Sequence, residues 1–120
     1  MGEGIRRIGE MGRLSMAVAY GGVVHLSGQV AIDSGGGPVA DQAREVLGRI
    51  DALLAEAGSD RTRLLTADLF LADLASLPEV NAAWDAWLAG AAPPCRTTIE
   101  TRLASPRYAL EIRVSAALSG

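Results

Sequence analysis

A chain of 120 residues, 49% hydrophobic and 21% charged, has the size of one globular domain spanning residues 1–120 around a single core. Its formal net charge is −3 and its eleven basic residues, all arginine, are scattered, which argues against a basic footprint for nucleic acid. The lack of lysine excludes Schiff-base and phosphate-loop lysines. Cys95 and His25 are the only cysteine and the only histidine, so no intrachain disulfide can form and no metal site is expected.

The N-terminus carries Arg6 and Arg7, but the longest apolar candidate after them, residues 16–26, is interrupted by Gly21-Gly22. No membrane segment is expected, and a reducing, cytoplasmic location is the simplest reading. Residues 5–8 and 16–20 read as strands, Gly21-Gly22 as a two-residue hairpin turn, and residues 23–32 as the returning strand. The glycine run Gly35-Gly36-Gly37 reads as a loop, because the lysine and hydroxyl of a phosphate cradle are missing.

Pro38 is suited to the first position of a helix. Val39, Ala43, Val46, Leu47, Ile50, Leu53, Leu54 and Ala57 then form one apolar stripe, and Gly58 ends the helix. Residues 64–74 are apolar on both faces, as in a central strand. Ser76-Leu77-Pro78-Glu79 reads as a capping box for a second helix that buries Val80, Trp84, Trp87 and Leu88. Both tryptophans are assigned to the core rather than to a base-stacking platform.

Residues 95–103 and 109–118 alternate as strands and are expected to pair as an antiparallel hairpin around Pro106. That register sets Arg102 opposite Glu111 and Glu100 opposite Arg113, and separates Arg96 from Glu111 by about 20 Å. The resulting architecture is α+β: a mixed sheet with two helices packed on one face. The other face is expected to carry Ser27, Gln29, Arg96, Thr98 and Glu100, together with His25 as an interface residue. Closing so polar a face calls for an oligomer.

Arg96 is the leading candidate for chemistry, since a guanidinium at a strand mouth offers two parallel donors to a carboxylate. Glu111 has two readings, a member of a cross-strand ion pair or a functional acid. Gly28, inside Ser27-Gly28-Gln29, likewise marks either a bulge or a close approach of a ligand. If Arg96 and Glu111 share a site, they come from different subunits. Cys95 has no nearby base in sequence and is not assigned a nucleophilic role.

Ser27-Gly28-Gln29, Ala55-Glu56-Ala57-Gly58, Val80-Asn81, Pro94-Cys95-Arg96 and Leu110-Glu111-Ile112 stand in the order and spacing of the RidA/YjgF family of enamine and imine deaminases. The chain resembles that family over nearly its whole length. The resemblance implies a chorismate-mutase-like fold, a homotrimer with sites between subunits, and no cofactor. It also implies that Arg96 holds the carboxylate of a 2-imino acid or its enamine tautomer, and that Glu111 positions the attacking water. The backbone near Ser27 and Gly28 would help hold the substrate.

Two departures affect the pocket. Many members carry Gly-Pro-Tyr-Ser where this chain has Gly12-Arg13-Leu14-Ser15, so Leu14 replaces a pocket tyrosine, and Thr98 stands where some members have cysteine. The implied activity is hydrolysis of reactive imines to 2-keto acids and ammonia. The alternative is a non-catalytic trimeric module that binds a small carboxylate and regulates a partner. Ribonuclease activity, attributed to some relatives, is disfavoured by the acidic net charge.

Overall fold

The computed structural model describes residues 4–119. In chain order the elements are β1 (Arg6–Glu10), β2 (Ser15–Tyr20), β3 (Val23–Leu26), β4 (Gln29–Val30), α1 (Val39–Ala57), β5 (Leu64–Leu71), α2 (Leu77–Leu88), β6 (Cys95–Glu100) and β7 (Leu110–Ala117). They build one mixed sheet in the order β1-β2-β3-β7-β5-β6, with β4 also paired to β7. Only β5 and β6 run parallel. The α+β architecture expected from the sequence is present, with both helices on one face.

Local sequence explains most of the boundaries. Gly21 and Gly22 both have positive φ, 61° and 82°, the backbone that a two-residue hairpin turn needs between β2 and β3. The α1 stripe buries Ala43, Val46, Leu47, Ile50, Leu54 and Ala57, and Gly58 closes the helix at φ 93°. Pro38 stands one position earlier than expected, in the extended N-cap residue before the first helical turn. The capping box at Ser76 does not form. Ser76 Oγ instead donates to the carbonyl of Asp73, closing the short 3-10 turn that leads into α2.

The expected hairpin between the last two strands is absent. β5 lies between them, pairing parallel to β6 and antiparallel to β7. A helix between two strands returns the chain to its starting end, so β5-α2-β6 gives parallel neighbours. Asp68 therefore takes Arg113 as its salt-bridge partner, with Arg113 Nη2 2.9 Å from Asp68 Oδ2. Glu100 accepts from the backbone N–H of Leu74. The two cross-strand pairs expected for Glu111 and Glu100 do not exist.

Register also decides the faces. Ala67, Leu69 and Leu71 of β5 are buried under the helices, and they pair in register with Arg96, Thr98 and Glu100. These three β6 residues thus share the helix-covered face, contrary to the sequence expectation. Gln29 pairs with the buried Ile112 and is itself buried. The uncovered face carries His25, Ser115, Arg113, Asp68, Phe70, Thr97 and Ile99 in register across β3, β7, β5 and β6.

Candidate active site

Glu111 lies on β7, opposite Phe70 of β5 and Val30 of β4, on the uncovered face. The strand facing it is irregular. Three residues, 26–28, separate the paired His25 and Gln29, whereas only Arg113 and Val114 separate their partners Ser115 and Ile112. This extra residue is a β-bulge, and it turns Gly28 toward Glu111. A Cβ on Gly28 would stand 1.9 Å from Oε2 of Glu111 and 2.7 Å from its Cδ. The bulge expected at Ser27-Gly28 is therefore present, and the missing side chain leaves the space that the Glu111 carboxylate occupies.

Ser27 ties this corner to the first hairpin. Its N–H and its hydroxyl both donate to the carbonyl of Met16, at 2.9 and 3.2 Å. Gln29 Nε2 donates to the carbonyl of Ser27 at 3.1 Å, which satisfies a buried amide and stiffens the bulge. Leu14, two residues before Met16, sits in the β1–β2 turn at the same end of the sheet and is 48% exposed. Its carbonyl accepts from the N–H of Met11.

A buried polar side chain sets where β7 begins. Gln42 of α1 donates from Nε2 to the carbonyls of Gly37 and Arg107 and accepts at Oε1 from the N–H of Ala109, at 3.0, 3.2 and 2.8 Å. It thus pins the segment before β7 to the first helix, two residues from Glu111. Sequence reasoning missed this residue, because a polar side chain at the edge of an apolar stripe carries no signal of burial.

Arg96 belongs to a different corner. Its Nη2 donates to Asn81 Oδ1 of α2 at 2.7 Å, its Nε donates to Thr98 Oγ1 at 3.2 Å, and its guanidinium lies 5.4 Å from the ring centroid of Trp84. Asn81 and Trp84 were not read as site residues, although they sit three apart on one helix and thus share a face. All three partners of Arg96 are uncharged. Among the described residues no carboxylate forms a salt bridge with Arg96. Its positive charge is held in place but is not neutralised by any described residue.

The sequence-selected residues thus fall into two groups. Arg96 and Thr98 meet on the helix-covered side of edge strand β6, while Ser27, Gly28 and Glu111 meet on the uncovered side of β4 and β7, with Leu14 nearby. Arg96 is level with Val114 across β5, three residues from Glu111, so their backbones lie about 14 Å apart with the sheet between the side chains. That is closer than the hairpin register implied, but still too far for one shared ligand. A hollow of about 610 Å³ bounded by Glu100, Arg102 and Tyr108, and an apolar groove of about 470 Å³ between α1 and α2, contain neither Arg96 nor Glu111.

The remaining candidates are peripheral. His25 is exposed on the uncovered face between Val18 and Ser115 of the neighbouring strands. Cys95 is exposed at the start of β6. Among the described residues no helix is long and apolar enough to cross a membrane.

Residues 4–118 match the family model described as Endoribonuclease L-PSP. The chain is 39% identical over 112 residues to a RutC family protein of Haemophilus influenzae, covering 93% of this chain and 97% of that one. A YjgF family protein from Neisseria meningitidis superposes with a TM-score of 0.95 at 38% identity, over 100% of this chain and 99% of that one. A Pseudomonas aeruginosa protein superposes with a TM-score of 0.91 at 34% identity, over 97% of this chain and 100% of that one. In sequence and in fold alike, this chain belongs to the RidA/YjgF family.

Proposed function

We propose that this protein hydrolyses 2-imino acids, or their enamine tautomers, to 2-keto acids and ammonia, at sites formed between copies of the chain in a homotrimer. The observation that carries this reading is the state of Arg96, a cation oriented by Asn81, Thr98 and Trp84 yet without a counter-charge among the described residues. Such a group is prepared for a carboxylate ligand. Glu111, cleared by Gly28, supplies a carboxylate on the opposite face. Association of the uncovered face of one chain with a neighbour would bring the two halves together. Exposed Tyr20 and Ile99 on or beside that face favour its burial.

In the assembled site Arg96 holds the substrate carboxylate and so fixes the adjacent C=N carbon. Glu111 accepts a proton from a water as the water oxygen bonds to that carbon. That proton passes to nitrogen to give the carbinolamine; Glu111 then takes the hydroxyl proton and returns it to nitrogen as the C–N bond breaks, so that ammonia leaves and the C=O forms. Positioned proton transfer of this kind contributes about 10²- to 10⁴-fold, which suits substrates that already hydrolyse in water. No cofactor takes part in these steps.

A second reading, a trimeric carboxylate-binding regulator without turnover, is favoured by Leu14 where many relatives have a pocket tyrosine. An RNA-cleaving role draws no support from a net charge of −3 with scattered arginines. The deciding experiment generates 2-imino acids in place with an amino-acid oxidase and follows keto acid and ammonia release. Acceleration by the wild type and not by Arg96→Ala is expected. Carboxylate binding without acceleration, across several side-chain sizes, would establish the regulator instead.

A further inference from the structure

An arginine has five N–H donors, and two of those on Arg96 are already engaged. Nε donates to Thr98 and Nη2 to Asn81. Among the described residues Nη1 has no acceptor. The guanidinium carbon stands over the Trp84 ring, 5.4 Å from its centroid, and Trp84 is itself held by burial and by Trp87, whose ring centroid is 5.4 Å away. Thr98, β-branched and on a strand, is restricted at χ1. Both supports are therefore stiffer than the side chain they hold.

Given that Arg96 receives the substrate carboxylate, as proposed above, we infer that Thr98 and Trp84 are positioning residues that hold the guanidinium and so present its unengaged donors, those of Nη1 among them, to that carboxylate. Nε and one donor of Nη2 are engaged by neutral acceptors, which leaves three N–H donors on Nη1 and Nη2 for a ligand. The Thr98 hydroxyl thus acts through Arg96 and not on the substrate. A side chain without a strong acceptor at residue 98 would free Nε–H and let the fork rotate, so that its orientation would have to be restored on every binding event.

The test is calorimetric titration of the native oligomer with 2-oxobutyrate, alongside KM and kcat for the matching imine. Thr98→Val, which keeps the shape but removes the acceptor, should weaken binding and raise KM about tenfold while kcat changes little. Thr98→Ser should restore wild-type values, and Trp84→Phe, which retains a π face, should fall between. In an Arg96→Lys background, which has no fork to orient, Thr98→Val should have no further effect. If the wild type binds 2-oxobutyrate and Arg96→Ala does not, yet Thr98→Val binds as the wild type does, the positioning role is overturned and the carboxylate site survives. A Thr98→Val loss that persists in the Lys background also overturns it. If the wild type fails to bind, or Arg96→Ala binds equally well, the carboxylate reading falls and takes this inference with it.

Discussion

Gly28 and Glu111 occupy what would otherwise be the same space: a Cβ on residue 28 would lie 1.9 Å from the Glu111 carboxylate oxygen. The clash falls on the far end of a half-buried, flexible side chain, which can swing away. Gly28→Ala should therefore cost little stability, about 1 kcal/mol, while reducing imine turnover about 10²-fold through displacement of the carboxylate. Melting curves and steady-state rates on the same preparation check both halves. Unchanged turnover would mean that the position of the Glu111 carboxylate is immaterial.

Glu111→Gln keeps the size and the polar character of the side chain but removes its basicity. Turnover should fall by at least about 10²-fold, with 2-oxobutyrate affinity within about twofold of wild type. Equal loss of both would assign Glu111 to the interface rather than to chemistry.

Arg96→Ala should abolish measurable turnover and leave the proposed trimer intact. The loss of its contact with Trp84 should lower stability by no more than about 1 kcal/mol. Arg96→Lys should recover little activity, since an ammonium lacks the fork. Size-exclusion chromatography and thermal melts separate this outcome from a general loss of structure.

Glu45 of α1 anchors the loop before the helix. Its partial burial raises the pKa, but the opposing effects of the Ser34 hydroxyl, the N–H groups of Asp33 and Ser34, and Arg49 prevail and lower it from 4.5 to about 2. The charged form is thus favoured more in the folded than in the unfolded chain. The stability this confers is fully present above about pH 4.5 and is lost as pH falls toward about 2. Glu45→Gln should be less stable than wild type at pH 7, and the difference should shrink across that window. Thermal melts at half-unit pH steps would show it.

Asp51 joins three elements. Its carboxylate accepts from Nε and Nη2 of Arg61 and from Nε1 of the buried Trp87, while Arg61 Nη1 donates to the Trp87 carbonyl. Asp51→Ala leaves the indole N–H without this acceptor and should destabilise by about 1–3 kcal/mol in denaturant titrations. Asp51→Asn, which retains an acceptor, should cost less. Catalytic constants measured on the folded protein should not change.

Where the physics is local, the residues themselves set the outcome. Paired glycines demanded the β2–β3 turn, a 3.6-residue apolar stripe ended by Gly58 demanded α1, and alternation from Leu110 to Ala116 separated the buried from the open side of β7. Motif spacing likewise carried the family and pointed to Ser27-Gly28, Arg96 and Glu111. Which strand β6 pairs with, and which way Arg96 faces, depends instead on long-range packing. Alternation divides a strand into two faces without saying which one meets the core, and a polar face at a sheet edge can lie beside a helix as readily as in solvent. The β5-α2-β6 crossover settled both, by making β6 a parallel neighbour of β5 and bringing Asn81 and Trp84 over the Arg96 guanidinium.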